Sequence, residues 1–370
     1  MSRNRYYLER DPFYSRAFFP VFSEADLHAP EGVERLFTTQ SAEPVKGVAL
    51  NTAFPDIEER YEAFCKAISK PDKRLNVVGL GDVGGTLVTA LKLLGNEIKE
   101  IGVYDPNEAL CRRYELELNQ ILHHETPRVR ILKEAELFDC EAFLFTASRG
   151  VPPIGTAGDV RMLQFEKNRE MLKAYTKTAR ASRFHGLFCQ ISDPVDQLSR
   201  CVFLQSNRTE TGEYDFRGLL PEQVAGFGLG VMKARAAYMA RRMGADAAEL
   251  RAYGPHGAGL VVANSPTDYD GARSEQLTKL TTEANREVRD LGFKPYIAPA
   301  ISSAAISVLS LLRGEDFYGA IPMNGVYFGC MSRMTTAGSI VSGEALHPKL
   351  QARIRTAWDA LKGAETQCRL

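Results

Sequence analysis

Six consecutive residues, Gly79-Leu80-Gly81-Asp82-Val83-Gly84, place three glycines at the spacing G-x-G-x-x-G. They lie between an apolar run at 75–80, which reads as a buried strand, and a segment at 83–94 with helical periodicity. In that setting each glycine has a task. Gly79 permits the tight turn, Gly81 lets the backbone approach a pyrophosphate, and Gly84 lets the helix pack close to the sheet. The amides at the helix start, those of Asp82, Val83 and Gly84, then face the phosphates. About twenty residues on, Asp105 closes the second strand. A carboxylate there accepts hydrogen bonds from the adenosine ribose hydroxyls and repels a 2′-phosphate, which favours NAD over NADP. Asp82 fits less well, because a carboxylate beside a pyrophosphate weakens binding unless it points outward. The competing reading is the same scaffold with an empty site.

These residues need a frame to position them. After residue 73 the pattern alternates: strands at 75–80, 98–104, 129–132, 142–146 and 187–191, helices at 83–94, 107–122 and 162–181. This alternation predicts an α/β, doubly wound parallel sheet with right-handed crossovers, the Rossmann arrangement. Beyond residue 207 the pattern is mixed. A turn and helix at 226–244, strand-like pieces at 249–253 and 260–263, and helices at 274–291, 298–312 and 347–362 suggest an α+β substrate domain. The segment before residue 72 has aromatic clusters, several prolines and one amphipathic helix at 55–70. The expected division is therefore an N-terminal extension (1–72), an NAD-binding domain (73–206) and a substrate-binding, catalytic domain (207–370).

Composition narrows the classes. Basic and acidic residues balance, 46 against 46, so no bulk field favours nucleic acid or an anionic membrane. No apolar run approaches the roughly 18 residues of a membrane span, and the first twenty residues lack a signal-peptide core. The seven cysteines form no C-x-x-C pair, and with the six histidines they show no zinc-ligand spacing. These features point to reduced thiols, a cytoplasmic location and no structural metal.

Three further segments follow the glycine turn in order: Asp159-Val160-Arg161 leading into a helix that contains Asn168, Ile191-Ser192-Asp193-Pro194-Val195 after a strand, and Gly254-Pro255-His256-Gly257. Together they resemble the lactate/malate dehydrogenase family over roughly residues 74–365. The resemblance implies hydride transfer between nicotinamide and C2 of a small-molecule 2-hydroxy or 2-keto acid. It casts His256 as the proton-exchanging histidine, a role suited to a side chain with an ordinary pKa near 6.5. It casts Arg161, at the end of a Gly- and Pro-rich loop (148–160), as the cation that polarises the carbonyl when the loop closes. Arg235 becomes the guanidinium that grips the substrate carboxylate. Lys294 falls on the substrate-side segment, where it would meet a second acidic group if it faces the pocket. Val151 lies near the position that reads the substrate side chain. The resemblance also implies a homodimer or homotetramer.

Two positions depart from the pattern. The family has an aspartate three residues before the carboxylate-binding arginine, where this chain has Met232. It has an asparagine where this chain has Asp193. One acid is lost and one gained, which suggests that Asp193 takes over part of the missing aspartate's role. The same double change also fits a non-catalytic NAD-binding protein, a sensor or a structural subunit.

Overall fold

The computed structural model describes residues 4–38, 44–122, 125–149, 160–341 and 343–367, with the side chains of 160–163 and 365–367 left aside. The chain divides into two compact units, one of Phe54–Ala225 and one of the residues up to Ala53 together with those from Gly226 onward.

The chain opens in the second of these with β1 (Asn4–Leu8), β2 (Phe18–Val21) and β3 (Gly47–Asn51). They form a small sheet in the order β1-β3-β2, β1 parallel and β2 antiparallel to β3. Phe18, Phe19, Val48, Ala49 and Leu50 are buried. This sheet packs with the later part of the same unit: the Arg35 guanidinium donates to the carbonyls of Pro322 at 3.3 Å and Ser339 at 3.2 Å. The segment before residue 54 is thus built into a core, where the sequence reading had a separate extension.

The other unit starts with α1 (Ile57–Ile68), which buries Ile57, Tyr61, Phe64 and Cys65 at helical spacing. Lys70 just after it pairs with Glu141 at 2.5 Å, and Phe54 just before it packs on Phe203 and Phe216. Residues 54–72 therefore fold with the parallel sheet of this unit, and the unit boundaries fall at 53/54 and 225/226 rather than at 72/73 and 206/207.

That sheet is built from β4 (Lys73–Val78), β5 (Ile98–Tyr104), β6 (Arg128–Ile131), β7 (Ala142–Phe145), β8 (Leu187–Gln190) and β9 (Val224–Gly226). The connecting helices are α2 (Asp82–Leu94), α3 (Glu108–Leu118), α4 (Val160–Ala181) and α5 (Val195–Ser206). The spatial order is β9-β8-β7-β4-β5-β6, with β4 to β8 pairing in parallel. This is the doubly wound Rossmann order, with the direction of winding reversing between β4 and β7. Central strands such as β7 and β8 are buried at every residue, which fits parallel strands covered by helices on both faces. Aromatic rings fill one layer, with Phe138 stacked on Phe143 at 4.3 Å and Phe188 beside it.

The second unit resumes with α6 (Leu229–Arg242), a hairpin of β10 (Arg251–Tyr253) and β11 (Val261–Ala263), and α7 (Gly271–Asp290). Then come α8 (Ser307–Leu312), an antiparallel meander of β12 (Asp316–Met323), β13 (Val326–Thr335) and β14 (Gly338–Val341), and finally α9 (Pro348–Gln367). This is the expected α+β arrangement. The single helix expected over 298–312 is instead a π-helical stretch, Pro299–Ile306, running into α8. Its Ser303 hydroxyl sits between two groups at the start of α6, donating to the Gly228 carbonyl and accepting from the Val231 amide, each at 2.8 Å.

Candidate active site

The glycine turn leaves β4 at the point where the winding of the sheet reverses. Gly79 has φ +93°, and a Cβ there would lie 2.6 Å from the Ala147 backbone at the end of β7. A Cβ on Gly84 would lie 1.8 Å from the Gly79 carbonyl oxygen. Hence the first turn of α2 can approach β4 this closely only with hydrogen at that position. Gly81 differs: among the described residues, none beyond its own chain neighbours comes within 4 Å of the position its Cβ would take. Packing among those residues does not demand a glycine there, which leaves that face of the turn open to a ligand. Asp82 begins α2 with its side chain exposed, and an acid in a first helical turn complements the helix dipole. Val83 is half-buried.

Asp105 ties the turn to the next loop. Its Oδ2 accepts from the Leu80 amide at 2.8 Å and its Oδ1 from the Asn107 amide at 2.8 Å. A carboxylate has about four acceptor sites, so two remain for ribose hydroxyls. The end of β7 is joined to the same turn by Thr146, whose hydroxyl lies 2.6 Å from the Gly79 carbonyl oxygen and 3.0 Å from that of Val78. The turn, the acid beside it and the open Gly81 face fit an adenine dinucleotide.

Asp193 stands at the end of β8, exposed, with a cis bond to Pro194 and then α5. Its carbonyl accepts from the fully buried Asn168 side chain at 2.8 Å. The same amide group accepts from the Arg149 backbone at 3.1 Å and lies 3.4 Å from the Ser148 hydroxyl. Ser192 adds a bond to the Ala147 carbonyl at 2.6 Å. A network behind the exposed surface thus fixes the ends of β7 and β8. Sequence reasoning gave Asn168 no role beyond marking a segment, although a polar amide on an inward helical position was the available signal. Thr146 and Ser192 offered no such signal. Arg161 lies in the first turn of α4, its side chain outside the described residues. Val151 and most of the Gly- and Pro-rich loop are outside them as well.

In the other unit, His256 is half-buried in a turn containing Gly254 (φ +89°) and Gly257 (φ +127°). The Gly254 amide donates to the Gly329 carbonyl of β13 at 2.8 Å, which anchors the turn to the meander. The imidazole lies against the start of α6. A Cβ on Gly228 would be 2.7 Å from His256 Cβ, 2.8 Å from Cγ and 3.0 Å from Nδ1. Arg235, on the same helix, is buried. Its guanidinium donates to the Asn285 Oδ1 of α7 and lies 3.8 Å from the Met232 sulfur. Met232 is part of an apolar cluster with Leu229, Ala236 and Leu260, so position 232 supplies no carboxylate. Lys294 is exposed in the segment after α7, between Phe293 and Ile297, each 69% exposed.

The structure therefore groups Gly79, Gly81, Asp82, Val83, Gly84 and Asp105 at one turn, with Asp193 in the same unit. It places His256 and Arg235 on neighbouring elements of the other unit, with Lys294 exposed. Among the described residues no cluster of His, Cys, Asp or Glu could hold a metal ion, and no helix is long and apolar enough to cross a membrane.

No family model matches the chain. An L-lactate dehydrogenase from Streptococcus uberis is 28% identical over 255 residues, covering 68% of this chain and 71% of that protein. A second from Streptococcus equi subsp. zooepidemicus is 27% identical over the same span. Among solved structures, the minor L-lactate dehydrogenase of Enterococcus mundtii superposes with a TM-score of 0.68 at 20% identity, covering 81% of this chain and all of that one. The malate dehydrogenase of Picrophilus torridus gives 0.63 at 15% identity, covering 78% and 95%.

Proposed function

Because the chain is a divergent relative of the lactate and malate dehydrogenases, we propose that it is an oxidoreductase that transfers a hydride between NAD and C2 of a 2-hydroxy or 2-keto acid. The observation that carries this reading is the glycine turn at the reversal of the sheet, open at Gly81 and buttressed by Asp105. When bound there, NAD supplies or takes the hydride. The backbone amides of Asp82, Val83 and Gly84 hold its pyrophosphate, and Asp105 accepts from the ribose hydroxyls and disfavours a 2′-phosphate.

The remaining roles belong to this chain's side chains. His256 exchanges the substrate hydroxyl proton. Arg235 grips the carboxylate, its guanidinium oriented by Asn285. Arg161 polarises the carbonyl. Asp193 supplies the acid that position 232 lacks, a role motivated by the paired change in sequence. Lys294 meets the second carboxylate of a dicarboxylic substrate, and the protein assembles as a homodimer or homotetramer.

The test is to mix the purified protein with NADH and a panel of 2-keto mono- and dicarboxylates, following nicotinamide absorbance and fluorescence. Oxidation with one class of acid, abolished by His256→Ala, is the expected result. Asp193→Asn should lower turnover far more than NADH affinity. A dicarboxylate preference should disappear in Lys294→Ala. NADH binding without oxidation of any acid would reduce the assignment to a non-catalytic dinucleotide-binding protein. Absence of NADH binding would leave the turn as scaffold alone.

A further inference from the structure

A second concave site lies in the Phe54–Ala225 unit, away from the glycine turn. It is a cavity of about 300 Å³ lined by the start of α1, the end of α4 and the turns that precede β8 and β9. In a parallel sheet, the turns before β8 and β9 sit at the N-terminal ends of the strands, whereas the glycine turn follows the C-terminal end of β4. The two sites are therefore on opposite edges of the sheet.

Four guanidinium groups border the cavity: Arg60, Arg180, Arg183 and Arg217. Two are neutralised. Arg180 makes a two-pronged pair with Asp215 at 2.8 and 2.6 Å, and Arg217 pairs with Asp56 at 2.7 Å. The other two are not. Arg60 is half-buried and spends its donors on the main-chain carbonyls of Pro55 at 3.1 Å, Phe216 at 2.8 Å and Gly218. These satisfy hydrogen bonds without cancelling charge. Among the described residues, neither the Arg183 guanidinium nor the His185 imidazole has a hydrogen-bond partner, and both line the cavity. Among the lining residues, Glu59 is the carboxylate not already paired with a guanidinium, and like Arg183 it is exposed.

Burial, joined by the charges of Arg217 and Arg180, pushes Arg60 down to about 10 against Asp56, the largest charge acting on it, and Asp215. Burial, then the charges of Arg60 and Arg183, push His185 below its ordinary value against the pull of Glu59.

We propose that this cavity binds a small polyanion of the phosphate class, with the half-buried Arg60 as its inner positive charge and Arg183 and His185 as the groups at its rim. Tetrahedral phosphate oxygens suit donors converging from several elements, and the cavity is of the size that takes a small molecule rather than a polymer. The proposal is independent of the dehydrogenase reading.

Inorganic pyrophosphate is the probe. It is titrated calorimetrically into the full-length protein, with and without saturating NADH, and into Arg183→Asn and His185→Gln. Position 183 has φ +49°, a conformation asparagine tolerates well, so the first variant removes charge without opposing the backbone. The expected result is saturable binding that persists with NADH and weakens about tenfold or more in Arg183→Asn. The His185 imidazole, identified in NMR spectra by its loss in His185→Gln, should titrate at higher pH when pyrophosphate is bound. Three outcomes would overturn the assignment: no saturable binding at millimolar probe, equal affinity in the wild type and Arg183→Asn, or citrate binding as tightly as pyrophosphate. The Arg183 variant reads this cavity whether or not NADH binds at the glycine turn, so failure here and failure of the cofactor assignment are separate results.

Discussion

Replacing Gly228 with alanine should damage turnover while leaving dinucleotide binding intact. Gly228 has φ −143°, outside the left-handed region, so its φ alone does not call for glycine. The obstacle is the His256 side chain, whose Cβ, Cγ and Nδ1 would lie 2.7, 2.8 and 3.0 Å from the new methyl group. Ordinary contact begins near 3.4 Å, so one partner must retreat by about 0.7 Å. The start of α6 is held by Ser303, which bonds the Gly228 carbonyl and the Val231 amide. The His256 turn has glycines with positive φ at 254, 257 and 259 and is the more compliant side. The imidazole therefore moves. A misplacement approaching 1 Å lowers rates by up to about 10²-fold, so kcat should fall about 10- to 100-fold, or about 1.4–2.7 kcal/mol of barrier. Overpacking should also remove about 1–3 kcal/mol of stability. The assay is steady-state NADH oxidation with the best keto acid, with NADH affinity by fluorescence and Tm by calorimetry. NADH affinity should stay within about twofold, because the glycine turn belongs to the other unit. A Gly228→Ala enzyme with wild-type kcat would refute the reasoning, because it would mean that the seat of His256 does not matter.

Gly81→Ala should fold with unchanged Tm, having open space around its Cβ, yet bind NADH about tenfold more weakly by fluorescence titration; unchanged affinity would remove the pyrophosphate from that face. Gly84→Ala, whose Cβ would lie 1.8 Å from the Gly79 oxygen, should lose both NADH binding and several degrees of Tm. Asn168→Ala breaks the links to Arg149 and Asp193 and should destabilise the protein by about 2–3 kcal/mol in urea unfolding, with kcat falling alongside. Asp215 is held below its ordinary carboxylate pKa chiefly by its hydrogen bonds from Arg180. A lowered folded pKa means stabilisation that is present above the unfolded value of 3.8 and lost as pH falls through the folded one. The stability gap between wild type and Asp215→Asn should therefore be full at pH 7 and shrink below about pH 4. A gap that stays constant to lower pH would contradict that pairing.

Much of the nucleotide-type unit was legible in the chain because its signals are local. Strand–turn–helix periodicity, three glycines at fixed offsets and an acid at the end of the next strand all fall within about thirty residues. Each places a backbone group whose environment is mostly its own neighbours, and the second strand was read at the bounds the structure shows, Ile98–Tyr104. The segments containing Asp193 and His256 were also visible, since both are short turns with distinctive residues. Tertiary structure decided the rest. The N-terminal strands pair at sequence separations of about 26 to 43 residues, between Val21 and Gly47 or Asn4 and Gly47 for example, and no local period reveals such a partner. The meander of 316–341 is buried on both faces along most of its length, so it lacks the alternation that marks a half-exposed strand. The π-helical turn depends on where Ser303 meets α6, a contact across more than seventy residues. The positive charge around Arg60 exists only because arginines from three segments distant in sequence, at 60, at 180 and 183, and at 217, face one cavity in which two carboxylates are already engaged. Residue types reveal what chemistry a chain can perform; which charges remain unneutralised is settled by packing, because neutralisation depends on distance in space and not along the chain.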